Sequence, residues 1–270
     1  MTADYVLGHS ERELERLSAQ ARLLEPTTRE YFVAAGVAPG MRILDVGSGS
    51  GDVAFLAADL VGAGGSVIGV DRAPAAIATA RRRAEARALR NVSFREGDPA
   101  ELSFDAPFDA IVGRYVLLFQ ADRPHMLRRL ARSLRPGGIL VFHEPDWSVI
   151  RSSPPAPTYD RCCRWLTRVG ELDGFRWITW DQLHAAFIGA ELTAPTMRMK
   201  TCIGGGTEIE EWLRALAELA AAVVPAMEKH GIATAEEVGI ATLAERMARE
   251  IAETCSVIVW RSEIGAWTRT

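Results

Sequence analysis

The sequence predicts an α/β protein built on a doubly wound, mostly parallel sheet, and three observations carry that prediction. Short apolar segments alternate with helical ones from Arg42 to Glu144. The first of them runs straight into a glycine-rich turn and a helix, and the segments on either side have helical periodicity. Strands that alternate with helices pair in parallel and are covered on both faces. The 270 residues fit one large domain or one with an added subdomain. At 48% hydrophobic and 24% charged residues the chain has the composition of a packed globular protein, which excludes a disordered or fibrous one.

The first 40 residues read as helices. Ser10-x-x-Glu13 is a capping box, with Leu14, Leu17, Ala21 and Leu24 following at helical spacing. A second helix is expected from Pro26 to Gly36, with Pro opening it and Gly closing it. Strands are expected at 42–46, 66–70, 92–96, 108–112 and 139–144, with helices near 52–61, 74–89 and 122–134 between them. Beyond Glu144 the pattern loosens. Helices are expected near 160–169, 180–189, 209–224 and 242–253, the last opened by a second capping box, Thr242-x-x-Glu245. A strand is expected at 191–202, and 256–260 with 264–267 as a terminal strand or hairpin. This gives three regions: an N-terminal helical lid (1–40), an α/β core (41–146), and the remaining strands with helical insertions (147–270).

Charge and cysteines narrow the function. A net charge of −4 and a pI near 5.8 argue against a surface that holds nucleic acid, which needs clustered Lys and Arg. The four cysteines form no C-x-x-C pair, and adjacent Cys162 and Cys163 do not clamp one metal, so no metal site is expected. The N-terminus lacks the apolar core of a signal peptide, and no run approaches the ~18 apolar residues of a membrane span. The expectation is a cytoplasmic, thiol-reduced protein without nucleic-acid or membrane partners, a monomer or homodimer.

The chemistry gathers at one motif. Strand 42–46 leads into Gly47-Ser48-Gly49-Ser50-Gly51-Asp52 and a helix whose N-terminus offers free amides. By itself this loop also suits a dinucleotide pyrophosphate. Three neighbours argue otherwise. Asp52 stands where G-x-G-x-x-G needs its last glycine. Asp45 precedes the loop, where it repels a diphosphate but welcomes an ammonium group. Asp71, ending the second strand, is placed to accept both hydroxyls of a ribose. The implied ligand has a ribose and a cation and no diphosphate.

Asp45–Gly51, Val70-Asp71-Arg72, Gly97-Asp98, Phe108–Val112 and Leu134-Arg135-Pro136-Gly137-Gly138 together resemble the ordered motifs of class I S-adenosylmethionine-dependent methyltransferases. The branch that includes ubiquinone/menaquinone C-methyltransferases and natural-product methyltransferases is the most similar. The resemblance covers residues 41–146. It implies a seven-stranded Rossmann-like sheet with helical lid insertions, and S-adenosylmethionine as cofactor with S-adenosylhomocysteine as product. Carried over by residue, it implies that Asp45, Gly47, Ser48, Gly49 and Gly51 hold the methionine part and that Asp71 takes the ribose. Arg72 would border the adenine, and Gly97 and Asp98 would lie at its amino group. Pro99 departs from the pattern because it has no N–H for the adenine ring, a contact left to Ala100 or lost. Gly113 and Arg114 would lie beside the sulfonium and amino group.

His143 and Glu144 end the fifth strand, where ligands gather in open α/β sheets. Either is a general base for a phenol, enol or thiol, or both belong to a polar cluster that shapes the strand end. In the N-terminal segment the resemblance implies a lid, with Tyr5 at the cofactor and His9 as a lid contact, a base or a helix-entry residue. Trp147, Trp165, Trp177, Trp180 and Trp212 divide between core packing and an aromatic pocket wall. Arg81-Arg82-Arg83 reads as a solvated helix face, and Cys162 and Cys163 as ordinary buried thiols. The expected activity is methyl transfer to a small, apolar or aromatic metabolite, as in secondary metabolism. A non-methylating cyclase or rearrangement catalyst of the same fold, and a nicotinamide-dependent oxidoreductase, stand as alternatives.

Overall fold

Seven strands in the order β3-β2-β1-β4-β5-β10-β7 form the central sheet of a computed structural model that describes residues 11–172 and 177–270. They are β1 (Arg42–Val46), β2 (Ser66–Asp71), β3 (Val92–Glu96), β4 (Phe108–Arg114), β5 (Leu134–Asp146), β7 (Thr196–Lys200) and β10 (Ser262–Arg269). The first five pair in parallel. The apolar stretches of β1, β4 and β5 are buried on both faces, whereas the edge strand β3 is mostly exposed. Gly137 N donates to Thr270 O and Thr270 N to Gly138 O, so the end of β10 meets the start of β5 and the two run antiparallel. Helices α2 (Asp52–Val61) and α3 (Pro74–Ala86) pack their apolar faces on this sheet in a core that includes Ile43, Phe55, Leu56, Ile77, Phe94 and Val141. The strand order reverses between β1 and β4, and the loops after these two strands carry the candidate site.

By contacts the chain divides into two compact units. One holds the described residues of Ala21–Glu144, Trp180–Met199 and Ile264–Thr270, and contains the seven-stranded sheet. The other holds those of Met1–Gln20, Pro145–Thr179 and Lys200–Glu263. Its own sheet has three strands, β6 (Arg151–Ser153), β8 (Ile203–Gly204) and β9 (Val257–Val259), in the antiparallel order β6-β9-β8. Helices α5 (Pro157–Leu172), α7 (Glu210–Lys229) and α9 (Leu243–Glu253) complete its core through Leu166, Leu213, Leu216 and Met247.

Several elements differ from the sequence expectations. A single helix, α1 (Glu11–Ala35), runs through Pro26 where two helices were expected. Buried Leu24 before the proline and Tyr31 and Phe32 after it hold both sides in place, and tertiary burial outweighs the lost amide of one proline. The strand expected at 191–202 is only 196–200, because Ala190, Glu191 and Leu192 close helix α6 (Trp180–Gly189) through bonds to Ala186, Ile188 and Phe187. β5 begins at Leu134, five residues early, with a register shift against β4 between Phe108 and Ala110 that absorbs the Arg135–Gly138 segment. The terminal hairpin does not form, since β9 pairs with β6 and β8 while β10 joins the larger sheet. Thr242 makes no capping bond, its φ of −124° and ψ of 3° being wrong for one. A capping box forms instead at Thr234 and Glu237, opening α8 (Ala235–Val238). The box at Ser10 lies outside the described residues.

Candidate active site

The glycine loop is built for close approach. Gly47, Gly49 and Gly51 have φ of 65°, 51° and 94°, the left-handed region that favours glycine. At Gly47 a Cβ would lie 2.8 Å from Val116 Cγ2, and at Gly51 within 2.9 Å of Phe55 and Phe94. At Gly49 it would meet nothing within 4 Å. The outer two glycines thus serve packing, and the middle one leaves open space. Arg83 braces the loop: its guanidinium donates to Ser50 O at 2.7 Å and pairs with Asp52 at 2.6 Å. Arg81 donates to Phe94 O at 2.8 Å. The expectation of a solvated arginine face therefore holds for Arg81 and Arg82, which are exposed, and fails for Arg83, which lies against the loop.

Asp45 is fully buried, and neither carboxylate oxygen makes a hydrogen bond of normal geometry, although the Ala54 amide lies near enough to favour its charged form. Burial pushes its carboxyl well above the usual range, and the Arg114 guanidinium pulls it back in part. Ser48 Oγ is also buried and unpartnered. A buried carboxylate without a full hydrogen bond is costly, and an ammonium group beside it removes that cost. The site therefore fits the cationic ligand read from the sequence. Asp71 sits across from it at the end of β2. Its Oδ2 accepts from Gly49 N at 2.8 Å and its Oδ1 from Ala73 N at 2.9 Å, so it also ties the loop to β2. Arg72 and Asp98 form an ion pair, and Gly97 N donates to Asp71 O at 2.9 Å. Asp98 Oδ1 accepts from Ala100 N at 2.9 Å, which commits the amide that was to stand in for the one Pro99 lacks.

The ends of β4 and β5 supply the second cluster. Arg114 and His143 are register partners on neighbouring strands, and Glu144 points to the opposite face. His143 is fully buried, with Tyr31 edge-on at 5.2 Å and Tyr115 at 5.7 Å. Its Nδ1 lies 3.0 Å from Thr28 Oγ1. Thr28 belongs to α1, and nothing in the sequence near it signalled a place at this site. Glu144 takes a different part. Its Oε1 accepts from Val116 N at 2.9 Å and Leu117 N at 2.8 Å, and its Oε2 from Leu118 N at 3.3 Å. Both oxygens clamp the loop after β4, which places Val116 against Gly47. Burial raises the Glu144 carboxyl to about 7 against the pull of these amides and of Arg123. Gly113 is glycine because a Cβ there would lie 2.7 Å from Phe142.

Tyr5 and His9 lie outside the described residues. In the smaller unit Trp147 is buried, 4.9 Å from the Trp177 ring and 6.4 Å from that of Trp260, which Trp212 approaches at 5.4 Å. Trp180 is exposed, and Trp165 carries the Arg161 guanidinium over its ring. Cys162 and Cys163 are buried, the Cys162 thiol pushed up to about 12 by burial. Among the described residues no group of three His, Cys, Asp or Glu side chains is placed to hold a metal ion. A cleft of about 550 Å³ in the same unit is lined by Ile150, Arg151, Asp160, Cys163 and Arg164 among others, and by none of the glycine-loop residues. No helix among the described residues is long and apolar enough to cross a membrane.

Residues 38–217 match a family model described as a methyltransferase domain. An arsenite methyltransferase of Aquipseudomonas alcaligenes is 42% identical over 131 residues, covering 44% of this chain and 38% of that protein. A 2-phytyl-1,4-naphtoquinone methyltransferase of Synechococcus elongatus is 43% identical over 118 residues, 42% of this chain and 51% of that one. The match thus spans 38% and 51% of the length of these two curated relatives. Among solved structures, Haemonchus contortus phosphoethanolamine N-methyltransferase 2, in complex with phosphomonomethylethanolamine and S-adenosylhomocysteine, superposes with a TM-score of 0.53 at 17% identity. That superposition covers 85% of this chain and 49% of the other, and it shows a shared fold.

Proposed function

The chain belongs to the methyltransferase-domain family, and from that premise we propose that it transfers the methyl group of S-adenosylmethionine to a small apolar or aromatic metabolite. The observation that carries this reading is Asp45, a fully buried carboxylate whose oxygens make no hydrogen bond of normal geometry, on the strand that leads into a loop with open space at Gly49. When bound, the cofactor supplies a carbon activated by its sulfonium for in-line displacement. Asp45 holds the ammonium group, Asp71 accepts from the ribose, and Arg72 with Asp98 borders the adenine. Gly49 keeps the space clear. The chain's remaining work is to align the acceptor, exclude water and take a proton where the acceptor carries one. His143 is the proton acceptor in this reading, because Glu144 is committed to the backbone of residues 116–118.

An acceptor of quinone or phenol type is favoured over arsenite. Burial holds the Cys162 and Cys163 thiols protonated, which suits packing better than thiol chemistry. The acidic charge balance supports a metabolite over a nucleic acid. A setting in secondary metabolism and in the cytoplasm accords with these features. The test is to incubate the purified chain with S-adenosylmethionine and a panel of phenols, quinones and amines and to measure S-adenosylhomocysteine. Formation that depends on one acceptor class supports the reading, and none with any acceptor, despite cofactor binding, overturns it.

A further inference from the structure

The glycine loop is held from both ends of α3. Ser48 N donates to Val70 O at 3.0 Å and Gly49 N to Asp71 Oδ2 at 2.8 Å. Asp71 Oδ1 also accepts from Ala73 N, the cap residue of α3, at 2.9 Å. These bonds fix the first half of the loop, and Arg83, in the last turn of the helix, fixes the second. Its Nη1 donates to Ser50 O at 2.7 Å and its Nη2 to Asp52 Oδ1 at 2.6 Å, while Ser50 Oγ donates to Asp52 Oδ2 at 3.2 Å. Gly51 N donates to Ser48 O at 2.8 Å, so the peptide between Ser50 and Gly51 is tied at its carbonyl and at its amide. The Arg83 guanidinium lies 5.3 Å from the Phe55 ring, the same ring that a Cβ at Gly51 would meet at 2.8 Å. The Arg83 side chain is 25% exposed, so water competes only in part for these bonds.

We infer that Arg83 is a positioning residue for the cofactor: by fixing the peptide after Ser50 it holds the loop in one conformation ahead of binding, and so sets the affinity for S-adenosylmethionine. The identity of the ligand rests on the proposed function, and the clamp rests on geometry alone. Three glycines within five residues give the loop a large conformational freedom to lose. Freedom lost on binding subtracts from affinity, whereas freedom already lost does not. The bonds from Arg83 lie within the chain and remove that freedom in advance. A guanidinium suits the task because its planar fork carries several donors at fixed angles to one another. It reaches a loop carbonyl and the carboxylate that opens α2 together, where an ammonium is one point charge on a flexible stem. The two partners lie 33 and 31 residues before Arg83, so the run Arg81-Arg82-Arg83 does not by itself single out its third member.

Two readouts separate the clamp from the ligand. Amide hydrogen exchange of the cofactor-free full chain reads the clamp. Arg83→Met should speed exchange at Gly51 at least about ten-fold more than at Ile43 and Leu44 in β1, the effect of one lost charged hydrogen bond on local opening. A loss of global stability would instead move all three alike. Calorimetric titration with S-adenosylmethionine reads the affinity. Arg83→Met should raise its Kd at least about ten-fold, and Arg83→Lys, which keeps the charge and loses the fork, should fall between that variant and wild type. Arg82→Met, on the exposed side of the helix, should leave the Kd unchanged. Equal acceleration at the three amides, or an unchanged Kd in Arg83→Met, overturns the inference. If Arg83→Met does not fold, Arg83→Lys decides in its place, and an unchanged Kd and exchange pattern there overturn the inference equally. A wild-type chain that binds no S-adenosylmethionine defeats the proposed function and with it the ligand named here, while selective exchange at Gly51 still supports the clamp.

Discussion

Asp45 and Glu144 are both fully buried carboxylates, and their partners give them opposite uses. Asp45 makes no hydrogen bond of normal geometry and so is suited to a cation. A bound ammonium lowers its raised pKa, so binding releases a proton and affinity should climb as pH rises through the unliganded value. Titration in two buffers of different ionisation enthalpy checks this through the proton released. Glu144 is satisfied by three amides and still sits at about 7, well above its ordinary 4.5. The folded protein therefore holds its proton more tightly than the unfolded chain does. The stability this contributes is complete below about pH 4.5 and is lost as pH rises toward 7. Glu144→Gln should unfold more easily at every pH but with a flatter dependence between these values. Denaturant melts at pH 5 and 7.5 test the difference in slope, and equal slopes would refute it. Asp71→Ala should weaken S-adenosylmethionine binding at least about ten-fold, because it removes charged acceptors worth about 1.5–3 kcal/mol each and frees Gly49 from β2. An unchanged Kd would take Asp71 out of the site.

At the scale of elements the two threonine caps give a paired test. Thr234 accepts from Glu237 N and opens α8, whereas Thr242 makes no capping bond. Thr234→Ala should cost about 1 kcal/mol and Thr242→Ala close to nothing, as chemical denaturation will read. The sequence pattern S/T-x-x-E is the same at both, and only the backbone angles at the cap separate them. A similar limit explains the other misread elements. The strands of the parallel sheet were legible because burial on both faces writes continuous Val, Ile and Leu runs into 42–46, 66–71 and 108–114. Pro26 was read as a boundary because local propensity favours one, and the packing of Leu24, Tyr31 and Phe32 that overrides it is tertiary. The partner of β9 is β6, more than a hundred residues earlier, and no short-range pattern records that pairing. Arg83 looked solvated because its partners, Ser50 and Asp52, lie more than thirty residues away.

Over the whole molecule, legibility follows how local the chemistry is. The sequence groups Asp45, the three glycines and Asp71 as one candidate site because they sit at strand ends within one stretch of β–α–β. The acceptor side was only half readable. His143 stood out by its position at the end of β5, but Thr28 lies 115 residues earlier, in a part of α1 with no motif near it. The family match over 38–217 agrees with the sequence reading of 41–146 and extends it across the region where motifs fade. In the proposed function, Asp45 and the glycine loop hold a cationic ribosyl ligand without a diphosphate. The most direct measurement is calorimetric titration of the wild-type chain and of Asp45→Asn with S-adenosylmethionine and with NAD. Wild type should bind S-adenosylmethionine and not NAD, and Asp45→Asn should lose at least about ten-fold in affinity, the equivalent of one charged hydrogen bond. Binding of NAD in preference to S-adenosylmethionine, or the same S-adenosylmethionine affinity with and without the Asp45 carboxylate, would contradict it.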